Sequence, residues 1–307
     1  MRLRSLLLVL LAVAAVPAMA GGPKRGAALI APRAEATISP IPKFSSSAAR
    51  LEQIRGVLAR QDEAIAKLKP PVMVCRRVPD GTITIDGKPN EAAWKRADVA
   101  TNFKETRNLA PCKAKTACRL LWDSKHLYVA FECEDSDVIG TIAERDGDYW
   151  REDTVEVFID PNADGMDYLE FEVSPRGLLY DGAIADYRPE VDWLKDITHL
   201  DINKSRDLYD TATPLAVHVD GTLNNSADKD RGWTCEIAFT WAEIARGTPV
   251  AAGAPQDGDL WRIGLYHINN KAYKDPKFAQ YGAWSPTTTW FHAPRLFGRV
   301  VFTTSEK

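Results

Sequence analysis

The chain has 307 residues, 45% hydrophobic and 26% charged, with 19 glycines and 19 prolines, the balance of a globular protein rather than a disordered or fibrous one. A formal charge of −3 excludes a nucleic-acid partner held by phosphate neutralisation. The longest apolar run, Leu6–Val16, has 11 residues and is too short to span a bilayer.

That run reads as the centre of a signal peptide over residues 1–20. Arg2 and Arg4 supply the positive start, and Ala18-Met19-Ala20 forms a small-x-small cleavage site. The expected location is therefore secreted or periplasmic, where disulfides are permitted. There are five cysteines, so at least one lacks an intrachain partner. Cys112 and Cys118 flank a short polar stretch and are the expected local bridge. Cys133 and Cys235 lie in apolar strand patterns and read as small buried hydrophobes.

Residues 21–46, rich in Gly, Pro, Ala and Ser, read as a flexible leader. Over residues 47–70, Leu51, Ile54, Leu58, Ile65 and Leu68 recur at helical spacing until Pro70-Pro71 stops the pattern. This amphipathic helix either packs on the main domain or serves self-association.

From residue 71 to 307 the pattern is all-β. Strands are predicted at Thr82–Ile85, Cys118–Trp122, Leu127–Glu134, Val155–Asp160, Tyr168–Ser174, Leu215–Asp220, Trp233–Phe239, Trp261–Asn269 and Arg299–Phe302. Turn pairs such as Asp86-Gly87, Asp164-Gly165 and Asp220-Gly221 separate them. Many short strands without long helices between them predict an antiparallel β-sandwich. The polar stretch from Asp186 to Arg231 reads as a long insertion around the Leu215–Asp220 strand.

Period-two alternation sorts the faces of two of these strands. Val155, Val157 and Ile159 oppose Glu156 and Phe158, while Leu169, Phe171 and Val173 oppose Tyr168, Glu170, Glu172 and Ser174. If both strands share a sheet, Glu156, Glu170 and Glu172 crowd its outer side, and Glu236 adds a fourth carboxylate. Such a cluster calls for a cation, an arginine or a polyhydroxylated ligand. A solvated face with screened charges reads equally well from these residues.

An ordered set of motifs carries a resemblance. It runs Ile83-Thr84-Ile85-Asp86-Gly87, Asn90-Glu91-Ala92-Ala93-Trp94, Leu121-Trp122-Asp123, Leu127-Tyr128-Val129-Ala130 and Trp150-Arg151-Glu152-Asp153-Thr154-Val155-Glu156-Val157-Phe158. It continues through Phe171-Glu172-Val173-Ser174, Gly232-Trp233-Thr234-Cys235-Glu236 and Phe297-Gly298. Together these resemble a family 9 carbohydrate-binding module, a jelly-roll-like β-sandwich of the wider DOMON-like group. The resemblance implies a non-catalytic module for poly- or oligosaccharides, accessory to glycoside hydrolysis, in which two tryptophans sandwich a sugar ring. Those positions fall on Trp150 and Trp290, and the glutamate beside the sugar falls on Glu156. Glu170 joins it from the same face. Glu172 stands where sugar-binding members carry an arginine, and Ser174 where they carry an asparagine. Trp94, Trp122, Trp233 and Trp241 read as core, while Trp193 and Trp284 extend a binding surface.

Asp160-x-Asn162-x-Asp164-Gly165 opens like a calcium loop, but its twelfth position is Phe171, so it is not an EF-hand. Structural calcium on Asp160, Asn162 and Asp164 is implied by the resemblance. Nucleophile-elbow, zinc-protease and phosphate-loop motifs are absent from the sequence, which leaves a Glu156–Glu172 pair as the one arrangement for hydrolysis. The other readings are a haem or redox subunit on the related fold, with Met73 or Met166 as axial ligand, and a scaffold or adhesion protein without ligand.

Overall fold

The computed structural model describes residue 63 and residues 67–165, 167–184, 209–248, 250, 252–270, 279–287 and 291–305. The expected signal peptide, the expected leader and most of the helix expected over 47–70 lie outside these residues. Glu63, Lys67 and Leu68 are helical, and Lys67 Nζ lies 3.0 Å from Glu63 at the i,i+4 spacing of a helix face.

The described strands are β1 (Val72–Arg77), β2 (Val99–Ala100), β3 (Lys104–Glu105), β4 (Thr116–Trp122), β5 (His126–Glu134), β6 (Thr154–Asp160) and β7 (Tyr168–Val173). They continue with β8 (Leu179–Ile184), β9 (Leu215–Asp220), β10 (Gly232–Thr240), β11 (Leu260–Asn269), β12 (Gln280–Ala283) and β13 (Gly298–Thr303). Hydrogen bonding joins ten of them in the order β8-β7-β6-β11-β13-β1-β4-β5-β10-β9, with β12, β2 and β3 attached at the side. This path curls into two facing layers. Phe171 on β7 meets Phe239 on β10 with ring centroids 4.4 Å apart, and Thr116 Oγ1 on β4 bonds His267 Nδ1 on β11 at 2.7 Å. The core between the layers is the inward half of each alternating strand. Val155, Val157 and Ile159 of β6 pair with Val173, Phe171 and Leu169 of β7, all at most 1% exposed.

Among the described strands the pairing is antiparallel apart from that of β1. β1 runs parallel to β13, with Val72 opposite Arg299 and Arg76 opposite Thr303, and parallel to β4 on its other side. It is the link that makes one continuous sheet of the two layers. The sequence signal for β1 is short and bounded by prolines, and its pairing is nonlocal, so it went unread. β8 went unread because Asp181-Gly182 interrupts it like a turn. Both residues are nonetheless in the ladder, with Asp181 opposite Phe171 and Gly182 opposite Glu170.

Thr82–Ile85 is a correction: it forms no strand. Side-chain carboxylates pin it instead. Glu91 Oε1 accepts from Thr84 N at 2.9 Å, and Glu236 Oε2 accepts from Asp86 N (3.2 Å) and Gly87 N (3.0 Å). Glu236 Oε1 takes a third bond from Trp94 Nε1 at 3.1 Å. Glu236 therefore clasps the N-terminal loop onto the β4–β5–β10 layer and does not join the carboxylates of β6 and β7. Gly87 is required there: φ is +83°, and a Cβ would sit 2.8 Å from the Val217 backbone.

The helix α1 (Trp241–Arg246) opens with a capping box, in which Thr240 Oγ1 accepts from Glu243 N at 3.1 Å and the Glu243 side chain returns to Thr240 N. Trp94, Trp122, Trp233 and Trp241 are core, as expected. Trp284, expected on a surface, is also core at 9% exposure, packed so closely over Gly298 that a Cβ there would overlap its ring.

Candidate functional site

The alternation of β6 and β7 places Glu156, Phe158, Tyr168, Glu170 and Glu172 on the side away from the core. Register brings Glu156 directly opposite Glu172, and Phe158 opposite Glu170. On the other flank of β6, β11 presents Tyr266 opposite Glu156. Three carboxylates and three aromatic rings thus share one patch of sheet.

The patch is not a solvated face. Glu156, Glu170 and Glu172 are 2%, 3% and 4% exposed. They are covered by the segment before β13, whose Phe291 stacks on Tyr266 (centroids 4.1 Å) and whose His292 lies 5.2 Å from Phe158. Tyr266 Oη donates to Phe291 O at 3.0 Å, and Tyr168 Oη bonds His292 Nδ1 at 2.7 Å. Sequence reasoning missed this cover, although Phe291-His292-Ala293-Pro294 is a compact aromatic-imidazole-proline signal.

Burial sets the electrostatics. Desolvation, then Glu172 and Glu170, push the Glu156 carboxyl well above the usual carboxylate range. Desolvation brings His292 down to about 3, so its ring is neutral near pH 7. The tautomer protonated on Nε2 suits both neighbours, with Nδ1 accepting from Tyr168 and Nε2–H directed at Glu170 Oε1, 3.8 Å away. The arrangement holds a proton on a buried carboxyl beside aromatic rings and closes it off from solvent.

Trp150 lies on the single 3-10 turn Tyr149–Arg151 that leads into β6. Tyr149 anchors that turn, fully buried, with Oη donating to Glu144 O at 2.5 Å. Trp150 itself is 41% exposed, and the Arg151 guanidinium carbon lies 4.8 Å from its ring centroid. Trp290 lies outside the described residues, as does Trp193. Ser174 is 1% exposed at the β7–β8 turn, where Oγ accepts from Leu178 N at 3.4 Å. That hydroxyl closes the turn.

The calcium loop is engaged with itself. Asp160 Oδ2 accepts from Gly165 N at 2.8 Å, while Asn162 Nδ2 donates to Asp164 at 2.8 Å and Asn162 Oδ1 accepts from Asp164 N at 3.3 Å. The site of a Cβ on Gly165 is only 2.6 Å from the Arg262 guanidinium, which already supplies positive charge beside Asp160. Among the described residues no three acidic, histidine or cysteine side chains converge as a metal cage. Melting the protein in millimolar calcium is expected to leave the thermal midpoint unchanged, whereas a rise of several degrees would show an ion bound to the folded chain.

All five cysteines are free thiols, which corrects the Cys112–Cys118 bridge. Cys118 is fully buried on the core side of β4, while Cys112 packs over Gly282. Met73, the axial ligand considered for haem, is 2% exposed within the core cluster, and Met166 lies outside the described residues.

Comparison with known proteins follows the same lines. The family described as carbohydrate family 9 binding domain-like matches residues 85–305. An extracellular protein of Arthroderma benhamiae is 29% identical over 212 residues, covering 67% of this chain and 86% of that protein. Endo-1,4-beta-xylanase C of Paenibacillus barcinonensis is 30% identical over 137 residues, covering 44% of this chain but only 12% of the enzyme. A crystal structure of a putative carbohydrate-binding protein from Bacteroides uniformis shares the fold at a TM-score of 0.56 and 14% identity, covering 76% of this chain and 100% of that one. With the family matched across most of the chain and its fold present, the chain belongs to the carbohydrate family 9 binding domain-like proteins.

Proposed function

We propose that the protein is an exported, non-catalytic carbohydrate-binding module that serves polysaccharide breakdown. In this reading a sugar ring packs on the exposed Trp150, whereas Glu156, Glu170 and Glu172, expected from the sequence to receive hydroxyl hydrogens, are buried and do not reach it. The observation that carries the reading is the exposure of one indole. Of the seven tryptophans among the described residues, six are at most 9% exposed and only Trp150 stands out at 41%. An exposed indole costs apolar hydration unless a partner uses it, and an indole face matches the C–H face of a pyranose.

Arg151 supports the same reading. Its guanidinium lies against the Trp150 ring, where its fork of donors serves the hydroxyls of a stacked sugar. It returns a cationic donor to a site in which Glu172 replaces the family's arginine. Export is favoured by the leader sequence, and no helix among the described residues is long and apolar enough to cross a membrane. Isothermal titration with glucose, xylose and their β-1,4-linked oligomers tests the proposal. Saturable binding of at least one sugar is expected, and flat titrations across the panel would overturn it.

A further inference from the structure

We propose that Asp153 and Asn270 are positioning residues that hold the Trp150 turn in its ligand-ready pose. The inference rests on the reading that Trp150 takes the sugar.

Asp153 is fully buried two residues before Val155, and its two oxygens serve two different loops. Oδ2 accepts from Ile139 N at 2.5 Å, in the connection from β5 to β6, and Oδ1 accepts from Asn270 N at 2.7 Å, where β11 ends. Asn270 completes the tie, because its Nδ2 donates to the carbonyl of Arg151 at 2.8 Å, one residue from Trp150. Glu152 adds a third strap, accepting from Thr141 N at 2.6 Å and Ile142 N at 3.1 Å. The turn that carries the exposed indole and the residues that follow it are thus tied to two separate loops. A 3-10 turn of three residues has little stability of its own, so its pose follows from these bonds.

The carboxyl of Asp135 neighbours that of Asp153. Asp135 also accepts from Asp137 N at 3.0 Å, which fixes it to its own loop. Burial raises both carboxyls, and the Asp135 charge raises that of Asp153 further. None of these groups needs to touch ligand. They act through the angle and steadiness of the Trp150 ring, and a steadier ring binds with less ordering cost.

The test compares Asp153→Asn, Asn270→Ala and Glu236→Gln, the last loosening the clasp on the other layer. Asparagine at 153 offers one acceptor where two N–H groups need two, and Asn270→Ala removes the bond to Arg151 without touching the buried pair. Each variant is titrated with the sugar that binds the parent, melted, and followed by amide exchange at residues 148–152 without ligand. Asn270→Ala is expected to weaken binding roughly tenfold and speed exchange at 148–152, with the midpoint moved by about 2 °C or less. Glu236→Gln is expected to lower the midpoint and leave affinity unchanged. Parent-like affinity in Asn270→Ala, unchanged exchange at 148–152, or an equal loss in Glu236→Gln would each overturn the inference. If the parent binds no sugar, the proposed function fails first and this inference with it. A parent that binds while Asn270→Ala binds equally well defeats the positioning role alone.

Discussion

Replacing Trp150 by alanine is expected to weaken sugar binding severely while leaving the fold intact. The indole is 41% exposed on a turn whose anchor is its neighbour Tyr149, so truncation removes little buried surface. The midpoint is expected to stay within about 2 °C of the parent, as for surface substitutions worth about 0.5 kcal/mol. Binding should respond very differently. An aromatic platform carries much of the energy of a small recognition site, and its loss is expected to weaken affinity roughly a hundredfold, about 2.7 kcal/mol. Titration and melting of the same sample separate the two effects. Unchanged affinity would move the site away from Trp150.

Glu156→Gln is expected to make the protein more stable without changing sugar binding. Glu156 is 2% exposed, faces Glu172 across the ladder, and has its carboxyl raised by burial and by two neighbouring carboxylates. The folded chain therefore holds a proton that the unfolded chain releases above its ordinary value of 4.5. A raised carboxyl contributes most stability at acid pH, and that contribution declines as pH rises from about 4.5 toward the folded value. Glutamine mimics the protonated form without this cost. At pH 8 the variant is expected to melt roughly 4–8 °C above the parent, corresponding to about 2 kcal/mol, and the two curves should converge near pH 4. Asp160, raised to about 7, and Asp167, raised to about 6, slope the same way in both proteins. His267 and His292, lowered to about 3, slope the opposite way below pH 6.5, also in both. These effects cancel in the difference. Affinity is expected to be unchanged, because Glu156 is buried while the indole that takes the sugar is exposed. A lower midpoint at pH 8 would mean that Glu156 is ionised and needed for the fold.

Several strands were legible because their chemistry is local. β4, β5, β6, β7, β9, β10, β11 and β13 are each short, rich in β-branched or aromatic residues and bounded by turn signals, and all lie within two residues of expectation. The helix α1 was equally legible through Thr240-x-x-Glu243, yet it was passed over within a run of strand signals. Thr82–Ile85 misled because its alternation is satisfied by Glu91 and Glu236 side chains rather than by a partner strand. The same alternation correctly placed Glu156, Glu170 and Glu172 on one face but said nothing about what lies over them.

Local periodicity, with the ordered motifs from Ile83 to Phe297, was enough to assign the β-sandwich, the family and the face on which the carboxylates meet. Three matters depended on contacts distant in the chain. One was the parallel insertion of β1, another the separation of Glu236 from the other carboxylates by a whole layer, and the third the burial of those carboxylates beneath Phe291 and His292. The physical reason is common to all three. Alternation along a strand fixes which way a side chain points, whereas its solvent, its partners and its proton affinity depend on what the folded chain brings over it.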